Sequence, residues 1–559
     1  MSEKTAPADV PLRSPDQVMR LARLGSMHQT RLSFLRALLR RMRSENWRVS
    51  SNSFDLDERG VGTAIYTVGV GERWYSLVAF GHELPAEKRT DRVIAEEWDA
   101  TFVLYDGLPD DDAVDRLKAN VPLQEAGRYR ESELVLARAN RSVRLFDHVV
   151  SALCAGSQPD PALVESTGYL MRTTAVYGNG KFGLADRDLI CGRPEFADPF
   201  RAEMLTVYLI RLFTVDLVEH LARRRGGATA VTLEPTIRRR FGIGNSTGLG
   251  MAPFLVRHPS LLDRWVLARE TALARARSRS RAEPRHGRLL RDLLNSSRRI
   301  VGDWVSEDPN QSQRIARLMT DLYKLETFVA GTLFDETRPF DRLYRFAEAE
   351  LSLEGQEYCV TLLIEVNGDI VDELADTMAV DEAETFRIEG TMKCGELLQL
   401  VHDCYGWALA FDFGDRTARA RFWYTSEEKL EPRLGERFHE PGMECEQPLA
   451  VARDIVAIAA ALARAAPDET SASFLLAQPQ YRHVARRIQI AARHRYSEIR
   501  DNLIDATMRP IDILRCKLAF FGAARFDPRS DRWVRITLFQ GSPFPDELDA
   551  DWDRWPFAP

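Results

Sequence analysis

Lysine is scarce in this chain. Lys4, Lys88, Lys118, Lys181, Lys324, Lys393, Lys429 and Lys517 are its only lysines, in a basic complement of 76 residues that is otherwise arginine. A preference of that breadth reads as codon usage, and its useful consequence is local: Lys181, inside a glycine-rich turn, stands out. Cysteine is sparse too. The seven cysteines are scattered and odd in number, with no Cys-x-x-Cys pair. This argues against a disulfide framework and fits reduced thiols in a cytoplasm. His402, Asp403, Cys404, His439 and Cys445 lie in one stretch, but no two have an established ligand spacing, so no metal site is read.

Long apolar runs are missing as well. The most apolar stretch, Met204 to Leu221, is interrupted by Arg211, Asp216, Glu219 and His220, which predicts a buried helix and no membrane span. Residues 1–13 are polar, with Pro7 and Pro11, and lack the apolar centre of a signal peptide. A net charge of −7 at pH 7 argues against a dedicated nucleic-acid binder. Gly-Lys-Ser and Gly-Lys-Thr do not occur, which excludes the common phosphate loop. The dinucleotide fingerprint also fails, because three residues, not two, separate Gly244 from Gly248.

What remains is globular composition, 45% hydrophobic, on 559 residues, too many for one ordinary core. The patterning predicts an α+β fold with antiparallel hairpin units at both ends and a helix-rich centre. The expected divisions are a flexible arm at 1–13, an N-terminal α+β domain at 14–150, a central helical section at 151–340 and a C-terminal α+β domain at 341–559. Alternating residues place strands at 47–54, 62–70, 73–80 and 101–105. Helices are expected at 131–155, 200–225, 310–330, 448–465 and 481–507. Further hairpins are expected from 347–353 with 358–366, from 405–413 with 417–424, and from 518–526 with 533–539. Arg269 to Arg299 alternates arginine with small residues and shows no apolar stripe, so it reads as an exposed linker or helix end.

Two glycine-rich segments carry the candidate chemistry. The first, Phe241 to Pro259, holds Gly242, Gly244, Gly248 and Gly250 around Asn245, Ser246 and Thr247, with no strand evident before it. Closely spaced glycines let backbone N–H groups approach an anion, and a helix start at Pro253 would add partial positive charge. The letters Gly244-Asn245-Ser246-Thr247-Gly248 also match a Gly-x-Ser-x-Gly elbow, in which a strand must lead into the serine. His258 follows as a potential general base.

The second segment, Arg172 to Gly183, sets Arg172, Tyr177, Asn179 and Lys181 among three glycines. Arg172 could grip a carboxylate or phosphate bidentately, Lys181 could neutralise one, and Tyr177 could move a proton. The plain alternative is a β-turn at Asn179-Gly180 with an exposed lysine. On the helix expected at 481–507, His483, Arg486, His494, Ser497 and Asp501 share helical spacing and could line a cleft or face solvent.

Taken together, the residues point to a cytoplasmic enzyme binding a small carboxylate or phosphate between the two segments, with lyase or hydrolase chemistry. Tyr177, Lys181, Ser246 and His258 are the candidate catalytic groups. Arg172, Asn179, Gly244, Asn245, Thr247 and Gly248 are the candidate binding groups. A flavin- or nicotinamide-dependent oxidoreductase and a scaffold or nucleic-acid-associated protein built on the 269–299 run remain as alternatives. Cofactor and oligomeric state are left open. The reading makes one spatial demand: the two glycine-rich segments must face one cleft.

Overall fold

Segments rich in β-branched and aromatic residues from Arg48 onward form β1 (Arg48–Leu56), β2 (Gly62–Val70), β3 (Arg73–Gly81) and β4 (Ala100–Asp106), each antiparallel to the next. Gly71, at φ +59°, closes the two-residue turn between β2 and β3. The computed structural model describes residues 10–24, 30–89, 97–120, 130–173, 192–198, 200–245, 259–306, 309–331, 333–375, 387–410, 422–426, 432–435, 446–448, 451–500, 519–527 and 535–548. The fold is α+β. The chain divides into one unit made of 1–26, 249–291 and 323–516, and another made of 27–248, 292–322 and 517–559.

In the second of these units the four strands continue into β5 (Glu133–Arg141), β6 (Tyr169–Thr173) and β7 (Gly242–Asn245). Late in the chain come β11 (Ala523–Asp527) and β12 (Arg535–Leu538), after the separate β8 (Phe422–Ser426), β9 (Pro432–Gly435) and β10 (Glu446–Pro448). The nine-stranded sheet runs β1-β2-β3-β4-β5-β6-β7-β12-β11. Every neighbouring pair is antiparallel except β6 and β7, which are parallel. The terminal hairpin therefore joins the sheet that the N-terminal strands begin.

The helix Arg201–Gly226 covers one face of this sheet: Phe213 packs edge-on against Phe102 at 5.4 Å, and the Tyr66 hydroxyl donates to Asp216 at 2.7 Å. On the opposite face, Val78, Phe80, Val103 and Leu136 pack against Leu117 of the helix Asp111–Asn120. Each such buried side chain contributes about 1.5–3 kcal/mol.

Arg211 lies inside the long helix and is 1% exposed. It donates to the carbonyl oxygens of Phe241 at 2.6 Å and Ser542 at 3.0 Å and to the Ser542 hydroxyl at 2.7 Å, while Phe544 stacks over it at 3.8 Å. Burial pulls its pKa down to about 9, which leaves it charged at neutral pH.

The first unit is mostly helical, with Pro259–Ser278, Pro339–Glu350, Leu353–Val366, Cys394–Leu409, Val451–Leu462 and Arg482–Arg493 among its helices, plus a small sheet ordered β10-β8-β9. Its interior holds an ionic cluster. Arg13 donates to Glu270 at 2.8 Å and Glu357 at 2.8 Å, and Arg23 and Arg269 each reach Glu357 at 2.7 Å. Val10 and Arg13 are thus buried, not part of a loose arm.

Several expected elements are corrected. The helix expected at 131–155 is β5 followed by the helix Phe146–Cys154. The hairpin expected from 347–353 with 358–366 is a pair of helices, and the strand expected at 405–413 belongs in part to the Cys394–Leu409 helix. The arginine-rich run is helical over Pro259–Ser278 and Pro284–Gly302. Arg277 pairs with Asp341 at 2.8 Å and Arg279 pairs with Asp369, so these cations are engaged within the unit. Among the described residues no helix is long and apolar enough to cross a membrane.

Burial would raise the Glu357 carboxyl, but the guanidinium groups of Arg13 and Arg269 outweigh burial and hold it down at about 2. A carboxylate whose pKa falls on folding stabilises the fold above its unfolded pKa and ceases to do so as pH drops through the folded one. Chemical denaturation from about pH 5 down to pH 2 should therefore show a loss of about 3 kcal/mol attributable to this group. Glu357→Gln should be less stable at pH 7 and should flatten that slope; an unchanged slope contradicts the assignment.

Candidate functional site

The register of the nine-stranded sheet brings polar side chains from distant parts of the sequence onto one face. Residues directly opposite each other in neighbouring strands point to the same side, and the side alternates along each strand. Phe102 faces the long helix, so Thr101 faces away from it, as Val103 does, and Asp99 lies just before the strand. Thr101 pairs with Arg138, Asn140 with Arg172, Arg172 with Gly244, and Gly244 with Thr537. This face is apolar at Val78, Val103 and Leu136. Two to four residues further along it becomes His82, Asp99, Thr101, Asn140, Arg172 and Thr537.

The band is closely bonded. Just past the Ala100–Ala139 pair, the Asp99 amide donates to Asn140 Oδ1 at 2.8 Å, and the Asn140 side-chain amide donates to the Glu97 carbonyl at 3.2 Å. One carboxylate oxygen of Asp99 accepts from Arg89 at 2.9 Å and the other from the Arg141 amide at 3.0 Å. His82 donates its backbone N–H to the Asp99 carbonyl at 2.9 Å, and its Nε2 lies 2.8 Å from Thr101 Oγ1. Burial lowers the His82 pKa while Asp99 opposes the shift, so the ring is neutral at pH 7. Asp99, Thr101 and Asn140 are buried. A buried carboxylate, amide and hydroxyl persist only where each is paired, and here each is.

The two glycine-rich segments begin at this band. Arg172 and Thr173 end β6, and Gly244 and Asn245, their register partners, end β7 in the same direction. Of the predicted site residues, Arg172, Gly244 and Asn245 are thereby brought together. Tyr177, Asn179, Lys181, Ser246, Thr247, Gly248 and His258 lie outside the described residues. The second segment is also tied where it rejoins the described chain. Arg193 donates to Asp106 at the end of β4 at 2.9 Å, and Phe196 packs on Tyr75 of β3 at 4.7 Å.

Two sequence expectations change. A strand does lead into Ser246, since β7 covers Gly242–Asn245. Gly242 and Gly244 belong to that strand and not to a loop, and pairing with β6 and β12 occupies their backbones. Their lack of side chains serves packing. A Cβ on Gly242 would lie 2.4 Å from the Leu538 carbonyl oxygen, and one on Gly244 would lie 2.8 Å from both Arg172 Cγ and the Tyr169 ring.

His82, Asp99, Thr101 and Asn140 are not among the residues to which the sequence points. Their only advance signal is polar residues at the ends of apolar strands, which becomes informative once the register is known.

In chemical terms the band offers a guanidinium at the end of a parallel strand pair, a neutral imidazole on a hydroxyl, and a fixed carboxylate. Among the described residues no cluster of three or more His, Cys, Asp or Glu side chains is placed to hold a metal ion.

Because Arg172 and Tyr169 fill the space above Gly244, Gly244→Ala should cost about 1–3 kcal/mol by overpacking. Urea denaturation checks this, and a variant as stable as wild type contradicts the close packing. Comparison with known protein families, with curated proteins and with solved structures finds no match to this chain.

Proposed function

We propose that the protein is a cytoplasmic enzyme that binds a small carboxylate- or phosphate-bearing molecule where β6 and β7 end, and acts on it by acid–base hydrolase or lyase chemistry. The observation carrying this reading is the parallel register of Arg172 with Gly244 and Thr173 with Asn245. It starts both glycine-rich segments from adjacent strand ends pointing the same way. Ligands of open sheets collect outside the carboxyl ends of parallel strands, where connecting segments diverge and backbone amides are unspent.

In this reading Arg172 fixes one anionic group through its planar fork and Lys181 neutralises it as a point charge. Asn179, Asn245, Thr247 and the amide of Gly248 supply hydrogen bonds. Tyr177 or His258 moves the proton.

Hydrolysis is favoured over elimination by one feature. β7 ends at Asn245, the residue before Ser246, and in this reading the serine takes the nucleophile's position in a strand-to-turn elbow. Ser246 would attack an acyl or phosphoryl centre, and a neighbouring base would take its proton.

Two measurements test the proposal. In a thermal-shift screen of inorganic phosphate, malonate, succinate and simple phosphate monoesters, at least one should stabilise the wild-type protein, and Arg172→Met, Lys181→Ala and Ser246→Ala should lose that stabilisation. Retention of the full shift by Lys181→Ala and Ser246→Ala together would sink the two-segment site. Separately, a fluorophosphonate probe should label Ser246 in wild type and leave Ser246→Ala unlabelled; labelling of neither removes the serine-hydrolase form and leaves the lyase form.

A further inference from the structure

The helical unit contains a second arrangement with the geometry of a catalytic base, independent of the β6–β7 site. We propose that His494, held by Asp263, is a general base that directs water onto an acyl ester. His494 follows the Arg482–Arg493 helix in extended conformation, at φ −123° and ψ 98°, which releases its side chain from the helical row predicted from sequence.

Asp263, near the start of the Pro259–Ser278 helix, meets the ring. One carboxylate oxygen lies 3.3 Å from His494 Nδ1 and the other accepts the Tyr496 amide at 2.7 Å. The Tyr496 hydroxyl in turn donates to the Arg13 carbonyl at 2.7 Å, and its ring is buried. Both oxygens of Asp263 are therefore fixed, by groups that are themselves fixed.

A carboxylate on Nδ1 sets the tautomer: the proton stays on Nδ1 and the lone pair is on Nε2. The Asp263 side chain is 7% exposed and that of His494 is 32% exposed, so the orienting acid is inside and the base reaches solvent. Among the described residues Nε2 of His494 has no hydrogen-bond partner. The other histidines with described contacts differ. His82 and His220 spend Nε2 on Thr101 and the Asp57 carbonyl, His286 spends both nitrogens, and His483 faces the half-exposed Asp454 through Nε2.

The step balances with water as the only co-reactant. Nε2 takes a proton from water as its oxygen bonds to the ester carbonyl carbon and the carbonyl π pair moves onto oxygen. Collapse of the tetrahedral adduct restores the carbonyl and breaks the bond to the alkoxide. That alkoxide takes the proton from Nε2, leaving acid, alcohol and neutral His494. Nothing is oxidised or reduced.

The test is hydrolysis of p-nitrophenyl acetate by the full chain after treatment with excess fluorophosphonate, so that no serine nucleophile contributes and failure here is separable from failure of the Ser246 reading. A positioned base contributes on the order of 10²–10⁴ in rate. His494→Gln should therefore lose at least about tenfold of the treated wild-type rate, and imidazole added to His494→Ala should restore much of it. Asp263→Asn, the positioning variant, should lower kcat with KM unchanged. His494→Asn provides a second replacement should the glutamine variant fold poorly. A treated wild-type rate no higher than buffer, or His494 variants matching wild type, overturns the proposal; loss in Asp263→Asn confined to KM overturns the role given to Asp263.

Discussion

A buried arginine that has no carboxylate partner among the described residues organises the sheet-containing unit. Arg211 sits in the middle of the long helix, and its donors end on the Phe241 carbonyl, the Ser542 hydroxyl and the Ser542 carbonyl. A cation in such a place is costly unless its donors are met, and here carbonyl oxygens and the Phe544 face meet them. Phe241 is the residue before β7, and Ser542 follows β12. One guanidinium thus grips both sides of the β7–β12 junction from the helix beneath. Arg238, stacked on the other contact of Phe544 at 3.9 Å, and the Gly541 amide on the Arg239 carbonyl at 2.7 Å complete the junction. β7 has four residues, two of them glycine, and little strand propensity of its own. Its place between β6 and β12 rests on these tertiary contacts, and the meeting of the two glycine-rich segments rests on its place.

Where local pattern and tertiary environment agree, the sequence is legible. β2 and β3 are legible from their β-branched and aromatic residues and the tight turn at Gly71 between them, and the long helix at 201–226 from its length and apolar content. β5 was not, because nearly every position from Glu133 to Arg141 is buried and a strand covered on both faces loses its alternation. The Leu353–Val366 helix misleads for the same reason: it is buried almost all round, so it has no stripe, and Cys359, Val360 and Thr361 imitate a strand. The arginine-rich run hides its apolar side because its buried residues are interleaved with arginines, Ala272, Leu273 and Ala276 in one helix and Leu290, Leu293 and Leu294 in the next.

The site shows the same division. Arg172 and the glycine-rich segments were visible as residue types, since guanidinium groups and glycines near hydroxyls and amides suit anions. Their adjacency was not visible, because it follows from a parallel pairing between positions 72 residues apart. His82, Asp99 and Asn140 escaped notice for a related reason: no two share a strand, and only cross-strand register aligns them. His494 has helical spacing in the sequence, whereas its distinguishing feature is a carboxylate 231 positions away. Ionisable groups gain meaning from partners that the chain brings from elsewhere.

The central claim is that residues from both glycine-rich segments act on one ligand. A double-mutant cycle measures this most directly: calorimetric titration of inorganic phosphate into wild type, Lys181→Ala, Ser246→Ala and the double variant. Residues contacting one bound anion should be coupled, with a double loss departing from the sum of the single losses by at least about 0.5 kcal/mol. Additivity within about 0.3 kcal/mol, or phosphate affinity indifferent to both substitutions, would contradict a shared site.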